Sequence, residues 1–268
     1  MVQKKESAMS KIKSKGFTLV ELLVVISIIA LLVSILMPAL GRAREAGQRA
    51  WCLSNTRSLT IGWMIYGDDN DGLLPMSAVG YMGSSLEYGD TEWIRYANPW
   101  TATIDEKLAA LRNGVLFPYL ESTDIFRCPV AKNKEFRTYS ITHAMNGLIL
   151  TEDFGGKVLK NNGQIKRPSE RIVFLDDFVY NDDACWMIYN DRPQWWNTTP
   201  IRHGSGGNVF SFADGHSEFK TWNDQSTIEL AELAYASNSA EAYLYSGPQP
   251  GNEDIVWAQR AVWGNLGY

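Results

Sequence analysis

From Phe17 to Met37 the chain is apolar except for Thr18, Glu21, Ser27 and Ser34. As a helix rising about 1.5 Å per residue, these 21 residues span ~31 Å, the thickness of one bilayer hydrocarbon core. Residues 1–16 carry Lys4, Lys5, Lys11, Lys13 and Lys15 against Glu6, a net +4, and the rest of the chain carries −9. A basic leader stays on the cytoplasmic side of a membrane, so this asymmetry predicts an acidic head on the outer side. Three readings of the run compete: a plain transmembrane anchor, a secretory signal cut near Ala39-Leu40-Gly41, and a segment that uses Glu21. A signal h-region is usually 7–15 residues, shorter than this run, and an acid near its start fits poorly. A carboxylate in a bilayer costs at least ~2.5 kcal/mol, so it normally has a partner and a purpose.

The residues Lys15-Gly16-Phe17-Thr18-Leu19-Val20-Glu21-Leu22-Leu23-Val24 resemble the N-terminal segment of type IV pilins and type II secretion pseudopilins. The resemblance implies cleavage after Gly16 by prepilin peptidase and N-methylation of the new terminus, Phe17. It also implies partners among other pilin or pseudopilin subunits. Glu21 stands at the fifth position of the processed chain, where the family places an acid, and Pro38 stands where the family kinks its helix. The chemistry agrees with the motif. Gly16 has no side chain to obstruct a membrane protease. The ammonium exposed at Phe17 can pair with Glu21 of a neighbouring subunit, so that each charge relieves the other's desolvation and the axial register is set.

Pro38 lacks an N–H and clashes with the preceding turn, which predicts a kink near residues 34–38. Beyond it Leu40, Ala43, Ala46, Ala50 and Leu53 recur at spacings of three or four, an amphipathic stripe expected to bury against the head. The helix is expected to run to about Tyr66 and to stop before Gly67, where Gly, Asp and Asn cluster. The expected organisation is a leader (1–16), a membrane or filament-core helix (17–37), its amphipathic continuation (38–66) and an extracytoplasmic head (67–268). The expected fold class is α+β, pilin-like, with the long helix packed on an antiparallel sheet.

An apolar share of 45% and a charged share of 21% suit a globular head, and a pI near 5.3 leaves no basic excess for nucleic acid. The spacing predicts a short helix over Ile104–Arg112, strands over Arg171–Phe178 and Cys185–Tyr189, a helical run over Ile228–Tyr245 and a terminal helix over Asp254–Trp263. Asn208–Trp222 reads as a hairpin on a two-residue Asp214-Gly215 turn. That turn sets Phe210 opposite Phe219 and places Phe210, Phe212 and Phe219 on one buried face.

A second resemblance is to large pilin-like proteins that join a prepilin leader to an H-X9-DG head. It rests on Cys52-Leu53-Ser54-Asn55, Tyr66-Gly67-Asp68, Cys128-Pro129, Thr138-Tyr139-Ser140 with Asn146, and His203 followed by Asp214-Gly215. Ten residues separate His203 from Asp214, one more than the family pattern; the extra one belongs to the loop Gly204–Gly207 or to a strand bulge. A disulfide between Cys52 and Cys128 is preferred over the other pairings with Cys185, because both lie in segments that carry this resemblance.

His203, Asp214 and His216 are one candidate for metal or catalytic chemistry, set against a hairpin turn with a histidine bonded to backbone. His143 reads as structural. Asp68, Asp69, Asn70 and Asp71 look like a calcium loop, but Gly72 falls out of EF-hand register. Asp176, Asp177, Asp182 and Asp183 stay open as calcium ligands without a defined set. No other cofactor is expected and no catalytic residue is assigned. Two functions remain: a structural subunit, first held in the bacterial inner membrane and then in a pilus or pseudopilus, or a membrane-anchored enzyme or carbohydrate binder, for which Trp195-Trp196 would be a stacking platform.

Overall fold

The computed structural model describes residues 18–77, 79, 91–98, 101–131, 135–147, 154–177, 184–197, 201–204, 206–237 and 247–267. The leader, the Gly16–Phe17 bond, Asp182 and Asp183 lie outside the described residues. The chain divides into two compact units, Met1–Arg44 and Glu45–Tyr268.

Helix α1, Leu19–Asp69, contributes to both. It runs through Pro38 and past Gly67, where Asn70 Nδ2 donates to the Tyr66 carbonyl (2.7 Å) and the chain turns at Asp71 and Gly72 with positive φ. The helix thus ends three residues later than its Gly/Asp cluster suggests, and the aspartates of that cluster belong to its last turn and the reversal after it. In the first unit the helix is exposed: Leu19 is 79% and Leu31 62% accessible.

The second unit is built on a five-stranded sheet in the order β3-β1-β2-β4-β5, from β1 (Tyr139–Thr142), β2 (Ile172–Asp176), β3 (Cys185–Trp186), β4 (Gly207–Phe212) and β5 (Ser217–Thr221). All pairs are antiparallel except β1 with β3, so the sheet is mostly antiparallel. Short helices α2 (Ile104–Arg112) and α3 (Phe117–Leu120) precede it; α4 (Gln225–Ser237) and α5 (Glu253–Trp263) follow it. α2 opens with a capping box between Thr103 and Glu106, and α5 with Asn252, whose side chain accepts from Asp254 and Ile255 N–H.

Both faces of the sheet are covered, which is why β2 is buried along its whole length. One face holds Val173, Phe174 and Val209 in a core with Leu59, Trp63 and Tyr66 of α1 and with Trp93 and Phe126. The other holds Ile172, Leu175, Phe210 and Phe212 with Trp186, Trp222 and Ile255, Val262 and Trp263 of α5. The strict alternation fails at Val173 and Phe174, which share a face. A register shift between Ile172 and Phe174 against β4 accounts for it: one extra residue in β2 forms a bulge.

The hairpin corrects the expected pairing. Gly215 N–H donates to the Phe212 carbonyl, Phe212 N–H donates to His216, and Gly215 takes φ +92°. The loop is therefore three residues with a left-handed glycine at its end. Val209 faces Phe219 and Phe210 faces Glu218, one residue away from the two-residue-turn register. Phe219 consequently lies on the α1 side, with the Arg49 guanidinium 4.8 Å over its ring, while Phe210 and Phe212 lie on the α5 side.

The stripe that α1 buries also differs from expectation. Ala46 and Ala50 are exposed and Leu53 half-buried; the buried positions are Cys52, Asn55, Thr56, Leu59, Thr60, Gly62, Trp63, Tyr66 and Gly67. Thr60 Oγ1 bonds Ser211 Oγ at 2.6 Å and Thr56 Oγ1 bonds Ser217 Oγ at 3.3 Å, so the helix and the sheet are joined by hydroxyl pairs as well as apolar contact. Gly62 packs against Leu120, whose Cδ2 would be 3.0 Å from an added Cβ.

Candidate functional site

Two places carry chemistry. The first is the start of α1. Thr18 is followed three residues later by Glu21, and the two form a capping box: the Glu21 carboxylate accepts from Thr18 N–H (2.9 Å) and Thr18 Oγ1 (2.8 Å), while Glu21 N–H donates to Thr18 Oγ1 (3.3 Å). Glu21 is thus turned back toward the residue that follows Phe17. Around it every large apolar side chain from Leu19 to Met37 is exposed, and this is a helix long and apolar enough to cross a membrane.

Residues 11–37 match the family model of the prokaryotic N-terminal methylation motif. The chain has a type IV pilin-like N-terminus and a prepilin-type leader. The motif and the exposed apolar helix fit a single-pass inner-membrane anchor. The match stops at residue 37 and does not reach the head. No curated protein and no solved structure matches the chain.

The second place lies inside the head, where separate segments meet. Cys52 comes from α1, Cys128 from the loop after α3, Tyr139 from the start of β1, Asp176 from the end of β2 and His203 from the approach to β4. Local bonds hold each of them. Asn55 Nδ2 donates to the Arg127 carbonyl (3.0 Å), Cys128 N–H donates to Thr138 Oγ1 (2.7 Å), and Asn208 Nδ2 donates to the Asp176 carbonyl (2.7 Å). His203 bridges to Gly207, whose own position leaves no room for a side chain: a Cβ there would sit 2.2 Å from the Lys220 carbonyl oxygen.

The donor atoms of Cys52, Cys128, Asp176 and His203 all lie within 4.8 Å of one another, and all four residues are buried. Cys128 Sγ is 3.5 Å from His203 Nε2, Cys52 Sγ is 3.7 Å from Asp176 Oδ2, and Tyr139 Oη is 3.1 Å from Cys52 Sγ. Both cysteines are thiols, so the structure brings together the two expected to pair without linking them. Arg202 completes the site: its Nε is 3.0 Å from Asp176 Oδ1, and its other nitrogens grip Glu135 at 2.8 and 2.6 Å and donate to the Asp177 carbonyl at 2.7 Å.

Burial dominates the electrostatics here. It pushes the Asp176 carboxyl up to about 7, against the pull of Arg202 and with Glu135 and Asp177 adding to the rise. It pushes the His203 imidazole down to about 4, helped by Arg202 and Arg49, so the ring is neutral at physiological pH. Burial likewise raises the Cys52 thiol, with Cys128 and Asp176 adding to it, and raises the Tyr139 hydroxyl.

Asp214 and His216 do not join His203. They sit at the exposed hairpin turn, where Asp214 Oδ1 meets His216 Nδ1 at 2.6 Å and the His216 ring stacks on Phe212. β4 pairs with β5 residue for residue from Gly207 to Ser211, so the longer His203–Asp214 spacing is accommodated outside that strand. Trp195 is buried against Trp186 and Trp222, and Trp196 packs on Phe154 and Tyr189, so the pair forms no open stacking platform. His143 is also buried, with Nδ1 3.5 Å from Cys185 Sγ.

Sequence reading missed Tyr139 and Arg202 as parts of a site and treated Asp176 only as an open calcium ligand without a defined set. The signal available was a carboxylate directly after Ile172-Val173-Phe174-Leu175, an apolar run too continuous to have a wet face.

Proposed function

We propose that the protein is a pilin-like structural subunit. Prepilin peptidase cuts it after Gly16, the new terminus Phe17 is N-methylated, and residues 17–37 hold it in the bacterial inner membrane with the head outside the cytoplasm. The subunit then passes into a type IV pilus or a type II secretion pseudopilus among other pilin or pseudopilin subunits, and it catalyses nothing itself. The observation that carries this reading is the methylation motif at residues 11–37 on a helix whose large apolar side chains from Leu19 to Met37 are all exposed.

The geometry at Glu21 supports it. Its carboxylate already reaches back to Thr18 N–H, one residue from the terminus that cleavage would create. In a bundle of such helices the ammonium of a neighbouring Phe17 replaces the threonine as partner, and the charge is never left bare in hydrocarbon.

The test is the N-terminal residue and mass of the protein isolated from host membranes. N-methyl-Phe17 is expected, and Gly16→Val is expected to leave the leader in place. A native chain that begins at Met1, or near residue 42, would overturn the assignment.

A further inference from the structure

We propose that Cys52, Cys128, Asp176 and His203 form a structural zinc site that fastens the second half of α1 to the sheet. Zinc takes thiolate, imidazole and carboxylate in a tetrahedral set, with Zn–S about 2.3 Å and Zn–N or Zn–O about 2.0–2.2 Å. Donors on such a tetrahedron stand about 3.5 Å apart along each edge. Two edges are already close to that: Cys128 Sγ–His203 Nε2 at 3.5 Å and Cys52 Sγ–Asp176 Oδ2 at 3.7 Å. The remaining pairs lie within 4.8 Å, so a small contraction closes the set.

The donor chemistry selects the metal. Two sulfurs and an imidazole disfavour calcium and magnesium, which take oxygen, and suit a borderline-soft ion. With four protein donors and all of them buried, there is no open position for water or substrate, the mark of a structural rather than a catalytic site.

The surroundings are those of a supported site. Asp176 offers Oδ2 to the cluster while its Oδ1 faces Arg202, and Arg202 is itself fixed by Glu135. Tyr139 Oη stands 3.1 Å from Cys52 Sγ, in place to donate to a thiolate. His203 Nε2 points at the cluster, 3.5 Å from Cys128 Sγ, so Nε2 is the ligating nitrogen. The charges balance as well. Starting from two thiols, a neutral imidazole and an ionised Asp176, binding one Zn²⁺ as both thiols lose their protons leaves the net charge of this buried pocket unchanged, with two protons released to solvent.

Metal content of the detergent-solubilised full-length chain, purified without chelator, tests the proposal. The expected result is about one zinc per chain, with Cys52 and Cys128 protected from thiol reagents until a chelator removes the metal. His203→Ala is expected to cut the zinc content at least tenfold. Cys185→Ser, which alters a buried thiol outside the cluster, is expected to keep it. If the histidine variant fails to fold, replacing zinc by Co²⁺ in the wild-type chain gives a second measurement: thiolate-to-cobalt charge-transfer absorption with the visible bands of a four-coordinate ion is expected. Zinc-free protein with a Cys52–Cys128 disulfide, seen as a mass two hydrogens lighter, would overturn the proposal. So would zinc-free protein with both thiols reactive. None of these outcomes depends on whether Phe17 is methylated.

Discussion

The two halves of α1 bury opposite things. From Leu19 to Met37 the helix is apolar and every large side chain is exposed; from Cys52 to Gly67 it buries threonines, an asparagine, a cysteine and glycines beside Leu59, Trp63 and Tyr66. The first half has surface that only an apolar solvent satisfies, and hydrocarbon or a bundle of like helices supplies that without specific partners. The second half is shaped for one partner in its own chain. Small residues let the backbone approach, and hydroxyls meet hydroxyls on β4 and β5. The difference teaches that hydrophobicity marks where a helix leaves water, while polar complementarity marks what it docks on.

This contrast can be broken by substitution. The largest expected effect is at Trp63, which is 1% exposed in the core shared with the sheet: Trp63→Ala should cost about 3–5 kcal/mol of head stability by denaturant unfolding. Ile29→Ala, made in the exposed half, should leave the same measurement within about 0.5 kcal/mol. Equal losses at both positions would mean that the halves do not differ as described.

Next comes the hydroxyl docking. Thr60→Val keeps the shape and removes the 2.6 Å bond to Ser211, leaving a buried hydroxyl one partner short; the cost should be about 1–2 kcal/mol. A neutral result would reduce the polar stripe to packing.

The smallest effect belongs to the hairpin turn, where partial burial pushes the Asp214 carboxyl up but the side-chain and backbone hydrogen bonds from His216, with its charge, together hold it below its usual value. A carboxyl lowered by folding adds stability that is full above its unfolded pKa of about 3.9 and is lost as pH falls through the folded value. Asp214→Asn should therefore cost well under about 1 kcal/mol at neutral pH, and the gap from wild type should close in strong acid. Acid titration of both proteins by urea midpoint checks the sign.

Much of the secondary structure could be read from residue pattern. Ile104–Arg112 and the C-terminal helix are short, capped and periodic, and the hairpin strands alternate clearly. The misses have physical causes. Asp-Gly admits both a two-residue and a three-residue turn, and one residue of slip moved Phe219 to the other face. The docking stripe of α1 escaped a search for apolar periodicity because Thr56, Thr60 and Asn55 occupy it. The N-terminal motif was readable because its residues are contiguous. The buried cluster was not, because Cys52, Cys128, Asp176 and His203 each arrive from a different segment and share no spacing. Their traces in the sequence were separate: three of them stand in segments with a family resemblance, and Asp176 directly follows a continuous apolar run.

Cys52 is also the first fully buried residue of α1 when the helix is followed from its N-terminal end. Along the helix Cys52 therefore begins the buried stretch that continues to Leu59 and Trp63, one turn after Arg49 lies over Phe219. The contacts at that point, to Tyr139 and Asp176, lie at the mutually paired start of β1 and end of β2 in the middle of the sheet. Cys52 thus ties α1 to two paired interior strands at once rather than to an edge strand.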